Sequence, residues 1–332
     1  MENITYKALV VEEEGSRYSR KIKELTTENL LSYGEVLIRV HYSSLNYKDA
    51  LSAIGNKGVT KNYPHTPGID AAGVVTISND ENFRPGDKVI VTGYDLGMNT
   101  PGGFGEYICV PSDWIVKLPE GLTLKESMII GTAGFTAGIS ISRLSELVPP
   151  DMGEIIVSGG TGGVGSMSLS MLAKLGYQTV AITGKTTEKS FFETIGCHKI
   201  IARNEFESLP QKAILSAKYA GGIDTVGGGI LENIIKQIQP LGAVTTCGSR
   251  HSTQLNISVF PFILRGISLI GVSAQNYPMN LREKLWKKLA TDWKPEQLLS
   301  LYTEISLSQL SEAIETMLQG KLKGRILVNL TV

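Results

Sequence analysis

The chain has 332 residues, which at ~100–200 residues per domain predicts two domains. Apolar residues make up 42% and charged residues 19%, an ordinary balance for a soluble globular protein whose core needs no disulfide or metal staple. Lysine plus arginine and aspartate plus glutamate both number 32, and zero formal charge weighs against a nucleic-acid partner or a polybasic membrane surface.

In chain order, Glu35–Tyr42 alternates apolar and polar residues as a half-buried strand does, and Gly73–Ile77 and Lys88–Thr92 are β-branched runs bounded by turn formers. In Arg84-Pro85-Gly86-Asp87 the proline presets φ and the glycine accepts positive φ, and Pro101-Gly102-Gly103 is a second turn. This stretch predicts a small β-rich domain. From Ser127 to Leu147 the pattern is helical, with Gly131, Ala133, Gly134 and Gly138 small enough for close packing. Strand then alternates with helix: a strand at Glu154–Ser158, a helix at Ser166–Leu175, a strand at Gln178–Thr183, a helix at Glu188–Ile195 stopped by Gly196, and a strand at Lys199–Ala202. The alternation runs on through Ile223–Val226, Ile230–Gln237, Ala243–Cys247 and Leu269–Val272 and predicts a parallel α/β sheet. A helix at Leu281–Thr291 carries Lys284, Lys287 and Lys288 on a solvated face; a helix at Leu310–Gln319 and a strand at Arg325–Leu330 follow.

The N-terminus has an acid and no apolar core of signal-peptide length, and no apolar run reaches the ~18 residues of a membrane span, so a cytoplasmic protein with no membrane partner is expected. Cys109, Cys197 and Cys247 are far apart and odd in number, which gives no disulfide framework and predicts small buried residues; a reactive thiol is the other reading of Cys247.

The strongest chemical signal is Gly159-Gly160-Thr161-Gly162-Gly163-Val164-Gly165, which holds G-x-G-x-x-G at Gly160, Gly162 and Gly165 between a buried strand and a helix. In that context the first glycine is expected to make the turn, the second to admit a pyrophosphate and the third to let helix pack on strand. An NAD site places an acid about 20 residues on, at the end of the second strand, for the ribose hydroxyls. Here the slot reads Thr183-Gly184-Lys185, with Lys189 and Arg203 further along. A cationic, carboxylate-free slot predicts a 2′-phosphate and hence NADPH; solvated surface charge is the other reading of Lys185 and Arg203. His41, His65, His198 and His251 form neither HExxH nor a paired spacing, so no metal is expected. A metal-free hydride transfer suits a double bond that is already polarised and conjugated.

The order of β-rich part, glycine turn and return to the first domain resembles the medium-chain dehydrogenase/reductase superfamily. The segments Ser44-Leu45-Asn46-Tyr47-Lys48-Asp49-Ala50, Pro67-Gly68-Ile69-Asp70-Ala71-Ala72-Gly73, Ile130-Gly131-Thr132-Ala133-Gly134-Phe135-Thr136-Ala137, Ile223-Asp224-Thr225-Val226-Gly227-Gly228 and Pro261-Phe262-Ile263-Leu264-Arg265-Gly266 narrow it. Together they are similar to the zinc-independent YhdH/YhfP-type quinone oxidoreductases, which include NADPH-dependent acrylyl-CoA reductases. Zinc-dependent relatives carry Gly-His-Glu where this chain has Gly68-Ile69-Asp70.

The resemblance implies a GroES-like β-rich catalytic domain, residues 1–126 and 267–332, plus a Rossmann doubly wound parallel sheet, residues 127–266. It implies that Asn46 and Tyr47 lie at the nicotinamide end of the cofactor, that Thr161, Gly162, Gly163 and Val164 hold the pyrophosphate, and that Thr183, Gly184, Lys185 and Arg203 surround the 2′-phosphate. Ser249 stands where the family usually has leucine, so its contact would be through the backbone. Ile263 and Ala274 would approach the nicotinamide half, Ala274 in place of a frequent serine, and Arg325 would reach the cofactor from the C-terminal strand. A homodimer is implied. The expected reaction is hydride transfer from NADPH to a small conjugated acceptor, an α,β-unsaturated acyl-CoA such as acrylyl-CoA. Tyr47, whose phenol can donate a proton, is the candidate proton donor; alternatively it packs on the cofactor and water gives the proton. Asp49 and Asp70 read as capping residues. A quinone or alkenal reductase without CoA preference and a non-catalytic NADPH-binding protein are the alternatives.

Overall fold

The computed structural model describes residues 3–332, and the chain divides into two compact units. The first takes the residues up to 132, then 275–290 and 302–332; the second takes 133–274 and 291–301. The expected borders at 126/127 and 266/267 therefore shift. The strand Ser268–Gly271 pairs in parallel with Ile238–Thr246, and that hydrogen bonding keeps it in the second unit.

In the second unit Ile155–Ser158, Thr179–Thr183, Lys199–Ala202, Tyr219–Asp224, Ile238–Thr246 and Ser268–Gly271 form one sheet in which every pairing is parallel. Counted one to six in chain order, they lie 3-2-1-4-5-6 across the sheet, the doubly wound order whose crevice opens at the carboxyl ends of the strands, where the order reverses. Strands one and two are buried along their whole length, as a sheet covered on both faces requires. Ile156, Val180, Ile182, Ile230, Ile234 and Val244 centre the core on one side. Gly196 does stop its helix, Lys189–Thr194: with φ +74 it lets its own N–H reach Glu193 O and the Cys197 N–H reach Phe192 O.

The first unit holds a seven-stranded sheet in the order Tyr302–Ser306, Arg325–Asn329, Val36–Leu45, Asp70–Ser78, Lys88–Thr92, Ile115–Lys117, with Tyr107–Val110 also paired to Val36–Leu45. All its pairings are antiparallel except Tyr302–Ser306 with Arg325–Asn329. Its core is centred on Val36, Ile38, Val40, Val89, Val91 and Ile108. A ribbon of Thr5–Glu14 and Arg17–Thr26 turns at Gly15, φ +65. The sequence pattern marks neither this ribbon nor the short strands Tyr107–Val110, Ile115–Lys117 and Tyr302–Ser306. The second ribbon strand, RYSRKIKELT, has no residue buried enough to set an apolar period.

Candidate active site

The glycine turn follows strand one and leads into the helix Gly163–Lys174, which starts ahead of the expected Ser166 because Gly162 (φ −79, ψ 170) already takes the cap position. No side chain caps that end, and the first intrahelical bond is Ser166 N–H to Gly162 O at 2.9 Å. The N–H groups of the first turn are thus presented with the positive end of the helix dipole. The glycine roles differ from expectation in one respect. Gly159, φ +63, makes the turn, and its carbonyl accepts the Gly162 N–H at 2.8 Å. Gly160 instead answers to close packing, since a Cβ there would lie 2.9 Å from Ala181 Cβ and 3.1 Å from the Phe192 ring. At Gly165 a Cβ would sit 2.3 Å from Gly159 O, so that glycine does let the helix close on the turn. At Gly162 only Gly159 O comes within reach, at 3.2 Å, leaving open space for a phosphate group.

Strand two ends at Thr183, whose hydroxyl oxygen accepts the Lys185 N–H at 3.0 Å. A Cβ built on Gly184 would lie 3.4 Å from Arg203 Nη2, so the guanidinium stands over this glycine. Arg203 opens the short helix Arg203–Glu207 rather than ending strand three, which stops at Ala202. Arg203 and Lys189 are exposed and Lys185 is half-buried.

Beyond the ends of strands five and six lies an open depression of about 420 Å³ lined by Thr246, Cys247, Gly248, Ser249, Gly271, Val272 and Ser273. Asp224, the fully buried last residue of strand four, bonds to two of these lining residues, Thr246 and Cys247. Its carboxylate accepts Ser158 Oγ at 2.8 Å, Gly227 N–H at 3.0 Å, Val226 N–H at 3.3 Å and Thr246 Oγ1 at 3.0 Å. Ser158 Oγ in turn accepts the Thr225 N–H at 2.8 Å, and Asp224 O accepts the Cys247 N–H at 3.0 Å. One carboxylate therefore ties the residue before the glycine turn to the wall of the depression. Burial raises its pKa against the pull of these donors. Burial also pushes the Cys247 thiol up to about 12, which favours the protonated thiol at neutral pH.

In the first unit Asn46 precedes the helix Tyr47–Ser52. Asp49 is fully buried; its carboxyl accepts the Asn46 N–H at 2.7 Å and the Ile69 N–H at 2.8 Å. Burial pushes it up to about 7, with the Asp70 charge adding to the shift and those N–H groups opposing it. Asp70, also fully buried, accepts Ser44 Oγ at 2.5 Å, Asn46 Nδ2 at 2.8 Å, Thr132 Oγ1 at 2.6 Å and the Thr132 N–H at 2.9 Å. That last donor reaches Asp70 where the helix Leu124–Ser145 breaks at Gly131 (φ +50, ψ −162). A Cβ at Gly131 would lie 2.6 Å from Asp70 Oδ2 and 2.7 Å from Arg325 Nη2, so the break makes room for the network.

Arg325 completes it. Its donors go to Ile129 O at 3.0 Å, Asn46 Oδ1 at 3.2 Å and Ser44 Oγ at 2.8 Å, with Asp70 Oδ2 3.8 Å away. Where the resemblance implies that Arg325 reaches a cofactor, the structure shows its guanidinium buried and its donors on four neighbouring acceptors, Leu45 O at 3.5 Å among them, beside the Asp70 carboxylate. Asn46 is likewise consumed internally, its amide shared between Asp70, Ser44 O and Arg325. Tyr47, at the first helical position, is 39% exposed. Lys48, to which the sequence reading gives no role, donates to Gln275 Oε1 at 2.8 Å.

Of the residues expected in the second unit, Thr161, Gly162, Gly163 and Val164 fall together on the turn and helix start, and Thr183, Gly184, Lys185 and Arg203 fall together at the end of strand two. Ser249 lines the depression, and Ala274 follows its last lining residue, Ser273. Ile263 does not line it: it is 68% exposed on the helix Phe260–Arg265, on an apolar face with Leu264. The sequence marks Asp224 only as part of the segment Ile223–Gly228, without a role of its own, because a buried aspartate at a strand end has no period or spacing to single it out. Among the described residues no three His, Cys, Asp or Glu side chains are grouped as a metal ion would need, and no helix is long and apolar enough to cross a membrane.

The alcohol dehydrogenase GroES-like domain model matches residues 32–120 and the zinc-binding dehydrogenase model matches residues 163–291. The chain is 36% identical to the acrylyl-CoA reductase AcuI of Ruegeria pomeroyi, over 98% of this chain and 99% of that protein. It superposes on the yhdH oxidoreductase of Salmonella enterica in complex with NADP with a TM-score of 0.94 at 36% identity, covering 97% of this chain and 99% of the other. It superposes on the Bacillus subtilis protein yhfP with NAD bound with a TM-score of 0.96 at 40% identity, covering 98% and 100%.

Proposed function

The chain belongs to the medium-chain dehydrogenase/reductase superfamily, as an oxidoreductase of the group that includes YhdH, YhfP and AcuI, and from that premise we propose that it is an NADPH-dependent, zinc-independent reductase of α,β-unsaturated acyl-CoA thioesters such as acrylyl-CoA. The observation that carries the cofactor half is the end of strand two, where Thr183, Gly184 and Lys185 offer no carboxylate and the Arg203 guanidinium stands over Gly184. A ribose 2′-phosphate suits that surface; a bare ribose has no acid there to hold it. Thr161, Gly162, Gly163 and Val164 would hold the pyrophosphate, and the uncapped helix end with open space at Gly162 fits it. Ser249 and Ala274 would flank the nicotinamide half.

When bound, NADPH supplies a hydride, here for the β-carbon of the conjugated thioester. Tyr47 supplies the proton that the α-carbon then takes up, and its exposed position at the start of its helix supports that role. The thioester acceptor rests on the likeness to AcuI. We include a homodimer in the proposal, supported by the exposed apolar face of Val259, Phe260, Ile263 and Leu264 beside the edge strand Ser268–Gly271; sedimentation of the purified chain should give the mass of two copies.

The deciding experiment follows NADPH oxidation by absorbance with acrylyl-CoA and a simple quinone in parallel, and with NADH as the cofactor control. Turnover of acrylyl-CoA with NADPH alone is expected. Turnover of quinone only would make the chain a quinone reductase, and equal use of NADH would overturn the 2′-phosphate reading. Binding of NADPH with no turnover of either acceptor would favour a sensor or structural role. Tyr47→Phe should lower kcat at least tenfold with little change in KM for NADPH, and full turnover would return the proton to water.

A further inference from the structure

Asp224 carries more than the hydrogen bonds that position it. Both carboxylate oxygens are covered by donors, namely two hydroxyls and two backbone N–H groups. An ionised carboxylate uses all of these, whereas a carboxyl proton would displace one. Every donor is neutral. Among the described residues no lysine, arginine or histidine forms an ion pair with Asp224, although the side chain is fully buried. Neutral dipoles stabilise a buried charge without cancelling it, so its field is felt by whatever lies next to it in the same low-dielectric surroundings. What lies next to it is the depression: Thr246, which donates to the carboxylate, and Cys247, whose N–H donates to the Asp224 carbonyl, both line the wall.

We propose that Asp224 is a positioning and electrostatic residue that sets the redox preference of the site, holding the positively charged pyridinium ring of NADP⁺ more tightly than the neutral dihydropyridine ring of NADPH. This rests on the reading that the nicotinamide half occupies the depression. A uniform contribution to binding would act on both redox forms alike; a fixed negative charge acts on the one whose ring is cationic. Tighter holding of the oxidised form makes the bound reduced form the stronger hydride donor, and each tenfold in the affinity ratio corresponds to about 30 mV for a two-electron couple. The sequence segment Ile223-Asp224-Thr225-Val226-Gly227-Gly228 is explained by the same arrangement. Asp224 is the charge, Thr225 donates its hydroxyl to Ser158 O at 2.9 Å, and the Val226 and Gly227 N–H groups turn back onto the carboxylate.

The test is calorimetric titration of the full chain with NADP⁺ and with NADPH, for the native protein, Asp224→Asn and Thr246→Val. In Asp224→Asn the affinity for NADP⁺ should fall about tenfold relative to that for NADPH. An equal loss for both forms would make Asp224 a purely structural residue and overturn the proposal. Thr246→Val keeps the charge and removes one of its donors, so the native preference for NADP⁺ should persist or grow; its disappearance would also overturn the proposal. This second variant decides the matter even if Asp224→Asn fails to fold. Failure of the native chain to bind either form would instead overturn the cofactor reading on which the proposal rests.

Discussion

Each unit buries a carboxylate network at the edge of its candidate site, and the two are built on opposite electrostatic plans. In the first unit Asp70 and Asp49 share the interior with Arg325, whose guanidinium is spent on Asn46, Ser44 and Ile129 O within 3.8 Å of Asp70. In the second unit Asp224 has hydroxyl and backbone donors and, among the described residues, no cation. The second unit does have cations near its ligand surface, Lys185, Lys189 and Arg203, but they stand at the end of strand two rather than on Asp224. A charge that is paired internally is spent on architecture. A charge held only by dipoles, or left at the rim, remains available to a ligand.

If that contrast is right, the largest effect comes from removing the buried cation. Arg325→Met should cost about 3–5 kcal/mol, because Asp70 is left buried without its partner. Denaturant unfolding measures it, and a loss under about 1 kcal/mol would mean that the hydrogen bonds alone sustain the network. A comparable effect, on the order of 4 kcal/mol between pH 4 and pH 8, should come from Asp49. Its carboxyl titrates at about 7 when folded, against ~3.9 when unfolded. A raised folded pKa gives stability that is complete below about pH 4 and is lost as the pH climbs through 7. The difference in stability between the native chain and Asp49→Asn should therefore shrink from pH 4 to pH 8. A difference that stays constant would show Asp49 to be charged throughout. The smallest effect on the fold belongs to Arg203. Arg203→Ala should leave stability within about 0.5 kcal/mol, as an exposed substitution does, and should weaken NADPH binding roughly 3–10-fold while leaving NADH alone. An equal change for both cofactors would remove Arg203 from the 2′-phosphate site.

The glycine turn and its setting could be read directly, because strand, glycines and helix are adjacent in sequence and the chemistry follows from their spacing. The same holds for the carboxylate-free end of strand two. What could not be read is which glycine bears the strain. The motif points to Gly160, yet Gly159 takes the positive φ, because Ala181 and Phe192 from other elements press on Gly160. Gly131 is a second instance. By composition it is one small residue in a helix; in the fold it breaks that helix, turns the Thr132 N–H to Asp70 and admits Asp70 and Arg325.

By itself, then, the sequence determined the two-part architecture, the alternation that builds a parallel sheet, and the phosphate-binding turn, since each of these is written in local order and period. The assignment of charged and polar side chains to partners was decided only by the tertiary structure. Arg325 lies 279 residues along the chain from Asn46, and Asp224 lies 66 from Ser158. A buried polar group takes whichever donor or acceptor the packing brings to it, because leaving it unpaired costs more than any local preference supplies.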